Sequence, residues 1–203
     1  MNALAAITDA ALCTASASLG IAIAARICKN RMPFADGPPA GRVSVPLLLA
    51  LAGTFGALVS AAKLDLAHTG VIVILCGSLV AIWYSDVRCG IVPDVFTLGP
   101  LALIITVALV SHEWWAIASC AIVAVAFGIT ALVSRGRGMG WGDVKLAALG
   151  GAVLGLDAAV LSCVAACLVA GFIALIRGRI HRPIAFAPYL VAAFALSLVW
   201  SRL

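Results

Sequence analysis

Two aspartates stand where an apolar chain has least reason to carry them. Asp143 follows the run Gly138-Met139-Gly140-Trp141-Gly142, three alternating glycines leading into a carboxylate, and Val144-Lys145 opens a long apolar stretch behind it. Glycine leaves no side chain between the backbone and whatever lies against it, so this acid is flanked by backbone that another chain can approach closely. Asp86 ends a different apolar stretch, in Ser85-Asp86-Val87-Arg88-Cys89-Gly90-Ile91-Val92-Pro93-Asp94. Taken singly, Asp86 reads as an interfacial acid paired with Arg88 or with headgroups. Taken together the two acids read differently. Carboxyls held close cannot both ionise, and they share a proton over a range of pH. One then takes a proton from water while the other gives one to a carbonyl or leaving group. That is amide hydrolysis with neither a metal nor a covalent enzyme intermediate.

The elements that must position these acids follow from composition. Of 203 residues 65% are hydrophobic and 10% charged, with mean hydropathy +1.20. Soluble domains are nearer half apolar and a quarter charged. The chain is therefore expected to be all-α, a polytopic transmembrane helix bundle forming a single membrane-embedded domain over residues 1–203. Its apolar runs are unbroken rather than alternating, which argues against a membrane β-barrel. Eight segments can be drawn: Ala3–Ala25, Val45–Ala62, Val71–Ser85, Val95–Val110, Trp114–Val133, Val144–Leu156, Ala158–Ile176 and Ile184–Trp200. A span needs about 20 residues, so the third, fourth and sixth must borrow flanking residues, sit at a thinned edge, or stop short. The sixth and seventh can also be read as one helical hairpin around Gly155-Leu156-Asp157. Spacings such as Gly151-xxx-Gly155 fit close helix packing.

Charge sets the expected orientation. The first segment carries Asp9 and no Lys or Arg before its apolar run, while Arg26, Lys29 and Arg31 follow it. This reverses the polarity of a secretory leader and predicts an uncleaved anchor with its amino end outside. Alternate connections then face the cytoplasm, and they hold eleven of the thirteen Lys and Arg residues; only Lys63 and Arg202 fall opposite. The basic balance, pI near 9.0, thus marks topology in a lipid bilayer rather than a nucleic-acid partner. The same assignment places Asp86 and Asp143 on one face. The connection over residues 26–43 contains Pro33, Gly37, Pro38, Pro39 and Gly41, turn formers that predict no independent domain.

Other candidates read more plainly. Seven cysteines at 13, 28, 76, 89, 120, 163 and 167 include no CxxC pair, hence no zinc or redox motif. Cys163 and Cys167 share a helix face as small packing residues. Asp94, with Thr97 three positions on, is expected to cap the fourth helix after Pro93, and it is the rival to Asp86 as partner acid. Glu113 and Asp157 read as solvated loop acids, and His68, His112 and His181 lack ligand spacing. Lys145 either offsets the acids' charge or anchors at the interface. Asp143 begins a helix, where the dipole favours a carboxylate, and Asp86 ends one. On that ground Asp143 is expected to ionise first and act as base.

The residues from about Ile82 to Leu190, a peptidase-like core, resemble the type IV prepilin peptidase family, membrane aspartyl proteases of the GxGD type. Gly140-Trp141-Gly142-Asp143 matches GxGD, extended by Gly138 and by Val144-Lys145-Leu146. Asp86 with Arg88, Ile91, Pro93, Asp94 and Thr97 looks like the family's first-aspartate motif, with Asp94 where asparagine is common. Ile184-Ala185-Phe186-Ala187-Pro188-Tyr189-Leu190 is a looser echo of a Pro-Phe-Gly-Pro stretch. The resemblance implies catalytic Asp86 and Asp143, no cofactor, and a prepilin or pseudopilin precursor as partner. It implies cleavage of the short basic leader at the cytoplasmic face of the inner membrane. Larger members carry a cysteine-pair zinc module in the first connection and N-methylate the new amino terminus; here that connection has Cys28 alone, so the zinc module is not expected, and whether methylation accompanies cleavage stays open. The alternative is a small transporter or channel using Asp86 and Asp143 as a proton or cation site. That reading wants inverted repeats and acids at mid-membrane, and the sequence offers neither.

Overall fold

The computed structural model describes residues 3–31, 43–59, 66–133, 139–177 and 185–200. Among them the helices are α1 (Ala3–Arg31), α2 (Val45–Val59), α3 (Leu66–Cys89), α4 (Asp94–Val110), α5 (Trp114–Val133), α6 (Trp141–Leu154), α7 (Leu156–Ile176) and α8 (Ala187–Trp200). Hydrocarbon offers backbone amides no water, and a helix satisfies them within one segment. α1, α3, α5 and α7 are long and apolar enough to cross a membrane, while α2, α4 and α8 are shorter apolar helices. The protein is a polytopic helical membrane protein.

Among the described residues each expected segment has its helix with bounds shifted by a few residues: α8 starts at Ala187 rather than Ile184, and the larger extensions include charged ends. α1 runs on to Arg31, so Arg26 and Lys29 belong to its last turns and not to the connection expected from residue 26. Arg and Lys are good helix formers, and their charge suits a helix carboxyl end. α3 likewise extends the short third segment at both ends to 24 residues. α4 has 17 residues and α6 has 14, so these two remain short. α6 and α7 are separate helices joined through Gly155, whose φ of 77° and ψ of 174° is a conformation nearly confined to glycine.

Contacts gather the chain into two compact units, one of Met1–Phe96 with Leu198–Leu203 and one of Thr97–Ser197. In the first, α3 is the most enclosed helix, with Leu75, Cys76, Leu79, Val80, Ala81 and Ile82 buried. It packs on α1 through small residues. A Cβ on Gly20 would fall 2.5 Å from the Gly77 carbonyl oxygen, and one on Gly77 would meet Ser16. Further along, Cys28 is disulfide-bonded to Cys89. These contacts advance together in both sequences, so α1 and α3 run parallel and end at the same side. Gly53 lies against Thr14 and Gly56 against Asp9, an opposite order that makes α2 antiparallel to α1. Arg26, Lys29, Asp86 and Arg88 therefore share one end of this unit.

The second unit is built around α6, whose Leu146 and Ala147 have no exposure and whose Val144, Ala148, Leu149 and Ala152 are also buried. A Cβ on Gly151 would stand 2.9 Å from the Ser119 carbonyl oxygen and 3.2 Å from the Cys120 Cα, while Gly150 faces the Phe194 ring. Ser162 of α7 and Ser197 of α8 are hydrogen-bonded at 2.6 Å. Outward, α5 and α7 present Val125, Ile129, Leu132, Leu161, Leu168 and Phe172. Small residues inside and large apolar ones outside is the sorting expected when lipid is the solvent.

Gly151→Ala should therefore lower the thermal midpoint in detergent, by an overpacking cost of about 1–3 kcal/mol, because backbone must shift to admit the methyl. Gly128→Ala, on the same α5–α6 unit but facing open space, should leave the midpoint unchanged or raise it.

Candidate active site

Asp143 sits in the first turn of α6, ahead of the apolar run. Gly140 precedes that turn in an extended conformation, φ −82° and ψ 153°. Its carbonyl accepts from the Asp143 amide at 3.1 Å and the Val144 amide at 3.4 Å. The Gly140 amide in turn donates to Asp143 Oδ2 at 3.2 Å. This is the acid's half of a capping box; a glycine has no side chain to supply the other half. The backbone at Gly140 is one that any residue adopts, and an added Cβ would make ordinary contact, 3.6 Å from Asp143 Oδ2. Gly140 is thus not required by conformation. What the glycine provides is bare backbone beside a carboxylate.

Burial pushes the Asp143 pKa up, and the Gly140 amide pulls it back only in part. The helix-dipole argument for Asp143 as the earlier acid to ionise therefore meets an opposing effect. Desolvation disfavours the charged form, so Asp143 keeps its proton above the ordinary carboxylate range. The helix end alone gives no ground for naming it the base.

Asp86 lies in the last turn of α3 and is 7% exposed. Ser85 beside it is fully buried and donates to the Ile82 carbonyl at 3.1 Å. The Gly90 amide donates to the Asp86 carbonyl at 2.8 Å, and Gly90, at φ 64°, turns the chain out of the helix as a left-handed residue does. Arg88 spreads its guanidinium over the Tyr84 ring, 5.9 Å from the centroid, a cation–π contact. Pro93 is buried in the short link to α4. Asp94 is exposed in the first turn of α4, where the dipole favours it; burial thus separates Asp86 from its rival.

The remaining candidates scatter. Gly142 is in the first turn of α6 and Lys145 in the second, half-buried. Gly138 and His181 lie outside the described residues. Glu113 and Asp157 are exposed, Asp157 in the first turn of α7. His112 meets Trp114 edge-on. A cavity of about 10 Å³ lined by Asp9, Cys13, Gly56 and Thr69 has room for little more than one water. The sequence reading missed the Cys28–Cys89 bond because its partners are 61 residues apart. The signal was available: each cysteine closely follows an apolar segment whose end was assigned to the same face.

The sequence profile of the type IV leader peptidase family matches residues 73–175, a stretch containing both acids. Two curated relatives are prepilin leader peptidase/N-methyltransferases of Burkholderia pseudomallei, strains 1026b and K96243. Each is 34% identical over 140 residues, covering 61% of this chain and 44% of the relative. The chain thus spans less than half the length of the curated relatives it matches. No solved structure matches.

The raised Asp143 pKa has a measurable sign. Between the ordinary carboxylate value and the raised one, the folded protein holds a proton that the unfolded chain has lost, so stability declines as pH rises through that window. Asp143→Asn retains an oxygen for the Gly140 amide but cannot ionise. Thermal midpoints from about pH 4 to 7 should show the variant gaining on wild type as pH rises; a constant difference would contradict the burial argument.

Proposed function

The chain belongs to the type IV leader peptidase family, and on that footing we propose that it is an aspartic-type endopeptidase. It removes the basic leader from a type IV prepilin or pseudopilin precursor at the cytoplasmic face of the inner membrane. The observation that carries this reading is the family match over both acidic motifs, Asp86 with Pro93 and Gly140-Trp141-Gly142-Asp143. The curated relatives are peptidases and N-methyltransferases by name; only the peptidase activity is carried over here, because the matched stretch holds the two acids.

In this mechanism Asp86 and Asp143 share one proton. The ionised carboxylate draws a proton from water, which attacks the scissile carbonyl, while the protonated partner donates to the carbonyl oxygen and then to the departing amide nitrogen. The bare backbone at Gly140 lets the extended substrate lie beside Asp143. The substrate's apolar helix stays in lipid. Placement at the cytoplasmic face is supported by the positive-inside bias and by the parallel course of α1 and α3, which gathers Arg26, Lys29 and Arg88 at the Asp86 end.

Purified protein in bilayers, mixed with a synthetic prepilin, should yield products whose masses differ by the leader; an added methyl mass on the mature product would reveal the second activity. Asp86→Asn and Asp143→Asn should each cut the rate by at least ~10²-fold, the usual worth of a general acid or base. Either variant cleaving at the full rate would exclude this chemistry. Gly140→Ala should fold like wild type yet cleave about tenfold more slowly or worse, as a small misplacement of reacting groups is costly. An unimpaired Gly140→Ala enzyme would remove the backbone-approach role.

A further inference from the structure

Cys28 and Cys89 are joined across the α1–α3 seam with Cα atoms 6.0 Å apart. The bond closes the end of the seam where both helices stop, since Arg31 and Cys89 are their last helical residues. Asp86 lies three positions before Cys89, and the Gly90 amide just after it donates to the Asp86 carbonyl. Sulfur bridge and acid thus belong to one turn of helix. Helix ends fray unless tied, and here the tie is covalent. Cys28 is buried at 5% exposure while Cys89 is half-buried, so one sulfur is the more open to attack. Arg26, Lys29 and Arg88 stand at the same end, and nearby positive charge favours thiolate over thiol. Cys13 and Cys76 form a second pair on this seam, hydrogen-bonded to each other, buried and unbridged. They serve as an internal reference.

We propose that Cys28 and Cys89 form a reversible thiol–disulfide site, and that its oxidised state holds the Asp86-bearing turn of α3 against α1. The reductant is a low-molecular-weight monothiol. Its thiolate attacks the Cys89 sulfur; the bridge breaks, a mixed disulfide forms on Cys89, and Cys28 leaves as thiolate and takes a proton. A second thiolate attacks the mixed disulfide, releasing the small-molecule disulfide and the Cys89 thiolate, which is protonated in turn. The protein gains two electrons and two protons while two monothiols become one disulfide. Only the cellular source of that thiol rests on the cytoplasmic placement proposed above, since structural disulfides are rare in that compartment and those that occur are mostly redox-sensing or transient. With the bridge intact Asp86 is pre-positioned; with it reduced the last turn of α3 loosens, and catalysis slows.

The test uses the full chain in bilayer discs, equilibrated with glutathione and its disulfide at graded ratios, then quenched with an alkylating reagent. Peptide masses should show Cys28 and Cys89 becoming alkylated together as one two-electron step, with Cys13 and Cys76 unchanged across the series. Hydrogen exchange at the amides from Val87 to Gly90 should be at least tenfold faster in the reduced state, and equally fast at every ratio in Cys28→Ser. Independent alkylation of the two cysteines, full alkylation at every ratio, or identical exchange in both states would each overturn the proposal. In the prepilin assay, reduction should slow wild type several-fold and leave Cys28→Ser indifferent to the buffer; a wild-type rate indifferent to the buffer breaks the link to Asp86. Absence of cleavage in every state counts against the peptidase reading instead, and alkylation and exchange then decide the redox site by themselves.

Discussion

A carboxylate at the margin of a membrane is tolerated only where the protein replaces some of the water it has lost. That constraint shapes both units of this molecule. Each unit has one helix more enclosed than its neighbours, α3 in the first and α6 in the second, and each of those helices carries an acid in a terminal turn. The enclosed helix fixes its acid because its other turns have nowhere to go. For α6 the fixing is visible in the buried run from Leu146 to Ala152 and in the Gly140 amide bound to Asp143. For α3 it is visible in fully buried Ser85 and in the Gly90 turn that ends the helix just past Asp86.

Lipid gives no hydrophobic drive to press helix against helix, so enclosure depends on close approach of backbones. Gly20 against Gly77, Gly56 against Asp9 and Gly151 against Ser119 are the places where this happens, and a methyl at any of them displaces backbone. Gly140 is a glycine of another kind. Nothing in its conformation or its neighbours demands it. The structural glycines build the seams, and the glycine of the Gly-x-Gly-Asp motif leaves bare backbone beside Asp143.

Much of this was legible in the chain. Hydropathy located eight segments that match the eight helices among the described residues, and Trp114–Val133 was placed to the residue, because in lipid an apolar run and a helix are nearly the same thing. The acids stood out because carboxylates are scarce in such a sequence. Less legible were the helix ends that continue into charge, as at Arg31 and Cys89, since a helix does not stop where hydrophobicity does. The upward push on the Asp143 pKa was not legible either: a helix dipole is visible from sequence, whereas burial is not. The Cys28–Cys89 bond was obscured by separation along the chain: charge put both cysteines at one face, and the parallel packing of α1 on α3 brings them together.

The match to the type IV leader peptidase family spans both acidic motifs, and the structure shows the local setting of each acid within its own unit. The central claim is that Asp86 and Asp143 act as a single proton-sharing pair. The pH dependence of kcat/KM for prepilin cleavage tests this most directly. A shared proton requires a bell, with the rate falling where both acids are protonated and again where both are ionised. A profile with one limb only, flat once a single carboxylate has ionised, would contradict the account.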